Sequence, residues 1–304
     1  MLGLVRKSTG SWYEIIQEDG SIILGQIKGK LRLQALKSTN PIAVGDHVDY
    51  EVDSGVAQIK DIEPRKNHII RKANNLSRQT QTIAANLDQV LVVATVASPR
   101  TSPGFIDRVL LTAEAYSIPA LIVFNKSDIY TSEMKDYAQQ LMAMYAEAGY
   151  ECHFLSVFND ESIKELEAML DGKITLVTGH SGVGKSSLLN RLAPGLTLKT
   201  SAISNFSMKG KHTTTFAEMH RINDATYVID TPGIKDFGIF DMDKAEISHY
   251  FPEMRRYLGQ CRFTNCLHIN EPGCAVIEAV KSGDINPGRY HSYLSILQGD
   301  DTHH

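Results

Sequence analysis

The sequence predicts a multidomain protein with an N-terminal all-β barrel, a central α/β domain and a C-terminal, mainly helical domain that binds a metal. Short segments of alternating polarity, separated by turn residues, fill the first part of the chain. Beyond them, nearly continuous apolar segments alternate with amphipathic helical segments. Three of the four cysteines then lie close together near the C-terminus. We place the three domains at residues 1–66, 67–240 and 241–304.

The bulk composition is that of an ordinary globular chain. Of the 304 residues, 42% are hydrophobic and 22% are charged, and the formal net charge is -4. Because there is no overall basic excess, contact with nucleic acid would depend on local basic patches. No apolar segment approaches the roughly 18 residues of a membrane span, and the N-terminus lacks a signal-peptide pattern. We therefore expect a cytoplasmic protein with no membrane partner.

Five short segments predict the strands of the barrel, at residues 11–16, 21–29, 31–36, 46–52 and 57–64. Their polar and apolar residues alternate, and glycine or Asn-Pro turns separate several of them. A five-stranded OB-type barrel fits this length.

Five apolar segments predict the strands of the central domain, at residues 89–96, 119–124, 152–157, 173–178 and 225–230. Amphipathic helical segments fall between most of them. Buried strands that alternate with helices indicate a parallel sheet covered on both faces.

The segment 179–186 (GHSGVGKS) is a complete G-x-x-x-x-G-K-[ST] phosphate-binding loop between a strand and a helix. Its backbone N–H groups can surround the phosphates, Lys185 supplies a positive charge, and Ser186 offers a hydroxyl to Mg²⁺. The loop alone does not distinguish ATP from GTP. The predicted nucleotide contacts here are Gly179, His180, Ser181, Gly182, Val183, Gly184, Lys185, Ser186 and Ser187.

The segment NKSD at 125–128 follows the predicted strand 119–124. It resembles the base-recognition turn of Ras-like GTPases, in which the first two residues (here Asn125 and Lys126) frame the base. The carboxylate, here Asp128, accepts from the N1 and N2 hydrogens of guanine, a donor pair that adenine lacks. A surface turn is the alternative for a tetrapeptide taken alone. Ser156 and Val157 lie where a second base-contacting element belongs.

Two further segments would complete the phosphate site. DTPG ends a predicted strand, so that Asp230 would hold Mg²⁺ through water and Gly233 would meet the γ-phosphate. The segment 210–215 (GKHTTT) carries three threonines, of which Thr214 is our choice for closing on Mg²⁺. The magnesium set is therefore Ser186, Thr214 and Asp230, although a run of threonines is also typical of a plain strand.

The order of these motifs is circularly permuted. NKSD precedes the phosphate loop, whereas conventional GTPases have it last, and one permuted domain yields one complete site. The position after DTPG holds Ile234, where Ras-like enzymes use a glutamine to orient water. His212 is the candidate for the missing catalytic group because imidazole accepts protons near neutral pH. A solvent-facing histidine on a loop is the alternative.

The spacing C-x4-C-x-H-x5-C predicts a zinc site formed by Cys261, Cys266, His268 and Cys274. Four such ligands suit one tetrahedral Zn²⁺ with no open position, so the role would be structural. A redox pair or an incidental cluster is the alternative.

Together, these motifs resemble the ribosome small-subunit-dependent GTPase A (RsgA) family, and the resemblance covers essentially the whole chain. It implies GTP hydrolysis late in maturation of the small ribosomal subunit, with binding to rRNA near the decoding region and release of an assembly factor. It also implies slow intrinsic hydrolysis that the subunit stimulates, with His212 as the catalytic residue. The expected partners are GTP and GDP with Mg²⁺, the small subunit and an assembly factor, and we expect a monomer.

The resemblance also gives the flanking domains a role in contacting RNA. OB-type barrels bind RNA by their strand faces and loops. Ordinary solvated side chains are the alternative for any one basic residue. The candidates are Lys28, Lys30, Arg32, Lys37, Lys209, Lys211, Arg255, Arg256 and Arg262. Two other functional classes stay open at this point: a permuted GTPase acting elsewhere, and an RNA-binding module in which hydrolysis is incidental.

Overall fold

The structure, a computed structural model, describes residues 1–28, 41–72, 80–193, 217–230 and 242–299. Within these ranges, eleven strands form one continuous sheet and two more form a separate hairpin. One end of the large sheet closes into a barrel, and the other end is a mostly parallel sheet flanked by helices. The fold class predicted from the sequence is confirmed.

The barrel consists of five strands, β1 (Leu2–Ser8), β2 (Tyr13–Ile16), β3 (Ile22–Ile27), β4 (His47–Asp53) and β5 (Val56–Ile62). Their order is β1-β2-β3-β5-β4, and β4 pairs back to β1. Only the β3–β5 pair is parallel. Alternate residues point inward and form an apolar core that includes Val5, Tyr13, Ile15, Val48 and Ile59.

The first strand of the barrel is absent from our sequence-based set. Leu2–Ser8 contains arginine, lysine and glycine, so its weak alternation does not stand out. The segment 31–36, which we predicted as a strand, lies outside the described residues.

A hairpin of β6 (His68–Lys72) and β7 (Thr80–Ala85) precedes the strands of the central sheet. These strands are β8 (Gln89–Ala94), β9 (Ala120–Phe124), β10 (Glu151–Phe154), β11 (Ile174–Thr178), β12 (Glu218–Arg221) and β13 (Tyr227–Asp230). Their order is β10-β9-β8-β11-β13-β12, and they are parallel except for β12 at the junction with the barrel. The helices are α1 (Pro103–Ala115), α2 (Ser132–Glu147), α3 (Asp160–Leu170) and α4 (Lys185–Leu192).

The central sheet has an apolar core on each face, which explains why its strands are nearly continuous apolar segments in the sequence. Every residue of β8 is buried. On one face, Val90 and Val92 pack in the same core as residues of α1 and α2, including Ile106 and Leu141. On the other face, Leu91 joins the core that holds residues of α3 and α4, and the parallel sheet is therefore enclosed as predicted.

The barrel and the central sheet join edge to edge through β1 and β12. Lys7 pairs with Glu218 in the strand register, and Glu218 lies opposite Asp230 on β13. The Glu218 carboxylate also accepts from Arg6 (2.8 Å) and forms an ion pair with Lys7 (3.1 Å). Two basic side chains of the barrel therefore meet an acidic residue one strand away from the DTPG segment.

The C-terminal segment is mainly helical, as predicted. It contains a short 3-10 turn (Ile247–Tyr250) and three helices, α5 (Pro252–Arg255), α6 (Ala275–Ser282) and α7 (Pro287–Gln298). Its core includes Phe251, Met254 and Tyr293, and Leu111 of α1 belongs to the same apolar cluster. The segment is thus packed directly against α1. None of the described helices is long and apolar enough to span a bilayer.

Candidate nucleotide-binding and metal sites

The predicted nucleotide-binding segments meet at one edge of the central sheet. Strands β8, β9, β10, β11 and β13 are parallel neighbours, so their carboxyl ends lie side by side. The phosphate loop follows β11, NKSD follows β9, and Asp230 ends β13. Ligands bind at this edge in open α/β sheets. Segments distant in sequence therefore converge on one site, as one permuted domain requires.

Two glycines of the phosphate loop lie so close to neighbouring atoms that a side chain would not fit. Gly184 has φ +97 and stands at the start of α4, where an added Cβ would run into the Asn125 side chain. Gly179 has φ +150, and a Cβ there would meet the Val93 carbonyl of β8. The loop backbone is therefore open to a ligand and closely packed against two neighbouring strands.

Lys185 bridges its own loop. Its ammonium group donates to the carbonyls of Gly179 (2.6 Å) and His180 (2.8 Å). Desolvation lowers the pKa of Lys185, and the Asp230 carboxylate opposes that shift. A half-buried cation between a loop of N–H groups and a carboxylate suits a magnesium-bound polyphosphate.

The NKSD segment is hydrogen-bonded to the phosphate loop. The side-chain amide of Asn125 is buried and donates to the Val183 carbonyl (2.8 Å). Lys126 has φ 63, and its ammonium group donates to the carbonyls of Gly182 (2.7 Å) and Ser98 (2.6 Å). These hydrogen bonds fix the position of the NKSD segment relative to the phosphate loop.

Asp128 is positioned by the loop that follows β10. Its Oδ1 atom accepts from the Ser156 hydroxyl (2.6 Å), which in turn accepts from the Phe158 amide (3.2 Å). The carboxylate is thus oriented by a second segment at the same sheet edge. Val157 packs into the core beneath, so its side chain serves to anchor this loop.

Two contacts at this site have no signal in the sequence. The Tyr130 hydroxyl donates to the Asn125 carbonyl (2.6 Å) and accepts from the Val96 amide (3.1 Å), which links the loops after β9 and β8. The rings of His180 and Phe105 lie 3.9 Å apart between centroids, so the phosphate loop also touches the start of α1. Each contact joins residues of different elements, which only the folded chain brings together.

Of the predicted magnesium ligands, Ser186 and Asp230 are among the described residues. Ser186 lies in the first turn of α4, and Asp230 is paired in register with Val177 of β11, just before the phosphate loop begins. A hydroxyl and a carboxylate provide the oxygen ligands that Mg²⁺ prefers. The negative charge of Asp230 also acts on Lys185, whose pKa it raises. The other predicted residues of the phosphate site, His212, Thr214 and Gly233, lie outside the described residues, as does Ile234 at the position of the missing glutamine.

The predicted zinc ligands form one cluster in the C-terminal segment. The ligand atoms of Cys261, Cys266, His268 and Cys274 all lie within 4.8 Å of one another. The His268 Nδ1 atom is 3.3 Å from the Cys274 sulfur and 3.6 Å from the Cys261 sulfur. Three thiols and one imidazole are a donor set that zinc prefers, and the four residues could hold one ion.

The loop that carries these ligands is held by three further side chains. The Glu271 carboxylate accepts from the backbone amides of Leu267 (2.8 Å) and Ile269 (2.7 Å). The hydroxyl of Tyr290 donates to the His268 carbonyl (2.6 Å), and Tyr293 donates to the Leu267 carbonyl (2.6 Å). Helix α7 therefore supports the cluster directly, as outer contacts do in structural metal sites.

Burial raises the pKa of the Cys266 thiol to about 12, and the neighbouring thiols add to the rise. Burial likewise raises the pKa of Cys274. Thiolates packed this closely repel one another, so a cation would be needed to hold them deprotonated.

Comparisons with known proteins agree with this geometry. A family model described as RsgA GTPase matches residues 62–240, and one described as RsgA N-terminal domain matches residues 2–57. A Bacteroides fragilis protein named small ribosomal subunit biogenesis GTPase RsgA is 50% identical over 299 residues, covering 98% of this chain and 96% of that protein. A Flavobacterium johnsoniae protein of the same name is 49% identical, covering 100% and 95%.

Two solved structures share the fold over nearly the whole length. The crystal structure of YjeQ from Thermotoga maritima has a TM-score of 0.82 and 35% identity, covering 98% of this chain and 97% of that chain. The structure of YloQ, described as a circularly permuted GTPase, has a TM-score of 0.75 and 27% identity, covering 98% and 94%. The chain therefore belongs to the RsgA GTPase family and is a GTP-hydrolysing enzyme with a circularly permuted nucleotide-binding domain.

Proposed function

We propose that this GTPase acts in late maturation of the small ribosomal subunit. In this proposal it binds rRNA near the decoding region, and the subunit stimulates it to hydrolyse GTP and so promote release of an assembly factor. The proposal draws on the names of its relatives, which are small ribosomal subunit biogenesis GTPases. We further propose that it works as a cytoplasmic monomer of three domains, at residues 1–66, 67–240 and 241–304.

The observation that carries the GTP-binding part of the proposal is the direct hydrogen bonding of the base-recognition segment to the phosphate loop. Asn125 and Lys126 donate to the carbonyls of Val183 and Gly182. We assign guanine recognition to Asp128, supported by Ser156 and Val157, and phosphate binding to residues 179–187 and Gly233. Magnesium would be held by Ser186, Thr214 and Asp230. Bound zinc would organise the C-terminal segment without taking part in hydrolysis.

Two basic side chains of the flanking segments are accessible for the RNA contact that we propose. The Lys28 side chain, just past the barrel strand β3, is 63% exposed and lies 4.0 Å from the equally exposed Asp53 carboxylate. In the loop of the candidate zinc ligands, Arg262 is exposed. Arg255 is engaged with Glu114 (2.6 Å), so it contributes less to a phosphate contact than the sequence suggests. The candidates Lys30, Arg32, Lys37, Lys209 and Lys211 lie outside the described residues.

Purified small subunits are expected to accelerate GTP hydrolysis by this protein, because Ile234 stands where Ras-like enzymes have a water-orienting glutamine. The measurement is the GTPase rate against small-subunit concentration, with large subunits as the control. His212→Ala is expected to abolish the stimulation and to leave GTP affinity unchanged, since general base catalysis contributes about 10²–10⁴-fold. An unchanged rate with small subunits would contradict the ribosomal role, and retained stimulation in His212→Ala would exclude His212.

Asp128→Asn is expected to weaken GDP binding roughly 100-fold, because each charge-assisted hydrogen bond to guanine contributes about 1.5–3 kcal/mol. The same variant should bind xanthosine diphosphate more tightly than wild type does. Xanthine carries a carbonyl in place of the exocyclic amine, and the side-chain amide introduced by the substitution could donate to that oxygen. Calorimetric titration with both nucleotides checks the exchange. A variant that keeps its preference for GDP would show that another group reads the base.

A further inference from the structure

Phe158 is the most exposed of the large apolar side chains that the structure describes. Its fractional exposure is 83%, compared with 41% for Phe263 in the zinc-binding loop. A single exposed apolar residue needs no explanation in general. Phe158, however, stands two residues after Ser156, whose hydroxyl orients the Asp128 carboxylate.

The backbone around Phe158 is anchored on both sides. Its amide donates to the Ser156 hydroxyl (3.2 Å), and the amide of Asn159 donates to the Ser156 carbonyl (3.1 Å). The Asn159 side chain then caps α3 by accepting from the amides of Glu161 (2.9 Å) and Ser162 (3.2 Å). The phenyl ring is therefore carried on a well-fixed turn beside the base-reading carboxylate.

Recognition of a purine by a carboxylate uses only the edge of the base. Both flat faces of the ring system are left to be covered, and aromatic side chains cover such faces without regard to base identity. On one side, the Lys126 side chain reaches from its turn to the phosphate loop, where its ammonium group meets the carbonyls of Gly182 and Ser98. Phe158 is an apolar ring available within the same pair of loops.

We propose that Phe158 stacks on a face of the guanine base whose edge Asp128 reads. The inference rests on the proposed base site and adds a residue that strengthens binding of the nucleotide without selecting guanine. Stacking would remove most of an exposed phenyl ring from water, which the free protein leaves uncovered.

Phe158→Ala is expected to weaken GDP binding about 30-fold, the middle of the range that base–aromatic stacking contributes. Phe263→Ala is the matched control, because it removes another exposed phenyl ring outside the nucleotide site and should leave GDP affinity unchanged. Calorimetric titration of nucleotide-free protein with GDP measures both. If Phe158→Ala binds GDP within twofold of wild type, the stacking proposal is wrong.

A tryptophan in place of Phe158 gives a second, direct readout. Trp12 is the chain's own tryptophan, so Phe158→Trp is best made together with Trp12→Phe. Stacking on guanine is expected to quench the new indole fluorescence when GDP is added, with affinity at or near the wild-type value. Fluorescence that does not respond to saturating GDP would overturn the proposal.

Inosine diphosphate separates failure of this inference from failure of the proposed base site. Hypoxanthine lacks the exocyclic amine, so Asp128→Asn should reduce the preference for GDP over inosine diphosphate. Phe158→Ala should weaken both nucleotides equally and preserve that ratio. If Asp128→Asn leaves the ratio unchanged, the base site itself is wrong. If Asp128→Asn changes the ratio and Phe158→Ala impairs only stimulation by small subunits, the ring contacts the subunit and does not stack on the base.

Discussion

Removal of zinc is expected to unfold the C-terminal helical segment while the central sheet stays folded and binds GDP. Between α5 and α6, residues 256–274 form no helix or strand, so the path of this loop depends on the cluster. Apparent binding free energies for structural zinc in small folds are about 10–16 kcal/mol, more than a segment of this size gains from its own core. The nucleotide site draws on a different part of the chain.

Cys261→Ser tests this expectation with less effect on packing than a change at the buried Cys274. Wild-type protein is expected to contain one zinc ion per chain by atomic absorption, and the variant should contain none and should lose helical signal in far-UV circular dichroism. Cys152→Ala is the matched control, because Cys152 lies on β10 outside the cluster and should leave one zinc bound. A Cys261→Ser protein with full helical signal and no zinc would show that the metal is dispensable for folding.

The candidate nucleotide site is largely predictable from the sequence because its chemistry is local. A phosphate loop needs glycines, a lysine and a hydroxyl at set spacings on one strand–helix turn, so residues 179–186 carry the whole signal. The same holds for the four candidate zinc ligands, which lie within one short segment and form one cluster. The sequence alone does not predict contacts between different segments of the chain. The hydrogen bond from the Tyr130 hydroxyl to the Asn125 carbonyl is one such case. From the sequence alone, a buried tyrosine would be interpreted only as a core residue.

For the same physical reason, the sequence alone does not predict the two strands that join the barrel to the central sheet. Leu2–Ser8 contains Arg6 and Lys7, and Glu218–Arg221 begins and ends with a charged residue, so neither has an alternation strong enough to mark a strand taken alone. Their charges are complementary, however, and Arg6 and Lys7 meet Glu218 across the pairing. These two segments are stabilised as strands by pairing with each other, and a single sequence does not reveal that pairing.

Arg289→Met is expected to destabilise the packing of the C-terminal segment on α1 by about 3–5 kcal/mol. Arg289 is only 1% exposed, forms an ion pair with Asp107 of α1 and donates to Glu253 (2.7 Å). Its guanidinium also lies over the Phe251 ring at 4.7 Å. Methionine fills similar space without the charge, so two buried carboxylates would face each other without a cation.

The exposed ion pair between Arg255 and Glu114 provides the matched control. It joins the same two parts of the chain, but its side chains are 51% and 25% exposed, so Arg255→Met should cost less than about 1 kcal/mol. Urea unfolding followed by circular dichroism compares the midpoints of the C-terminal transition. Equal shifts in the two variants would mean that the buried network contributes no more than a surface pair.

The dependence of the Arg289→Met defect on pH identifies its cause. Burial already raises the pKa of Asp107, and Arg289 opposes that rise, so removal of the guanidinium should raise it further. A carboxyl group whose folded-state pKa exceeds its unfolded value contributes stability below the unfolded pKa and loses it as the pH rises through the folded pKa. The variant should therefore approach wild-type stability as the pH is lowered. Asp107→Asn in the Arg289→Met background should recover part of the lost stability at neutral pH, because it removes one uncompensated charge. A defect that is the same at every pH, and that Asp107→Asn does not relieve, would instead indicate lost packing around the Phe251 ring.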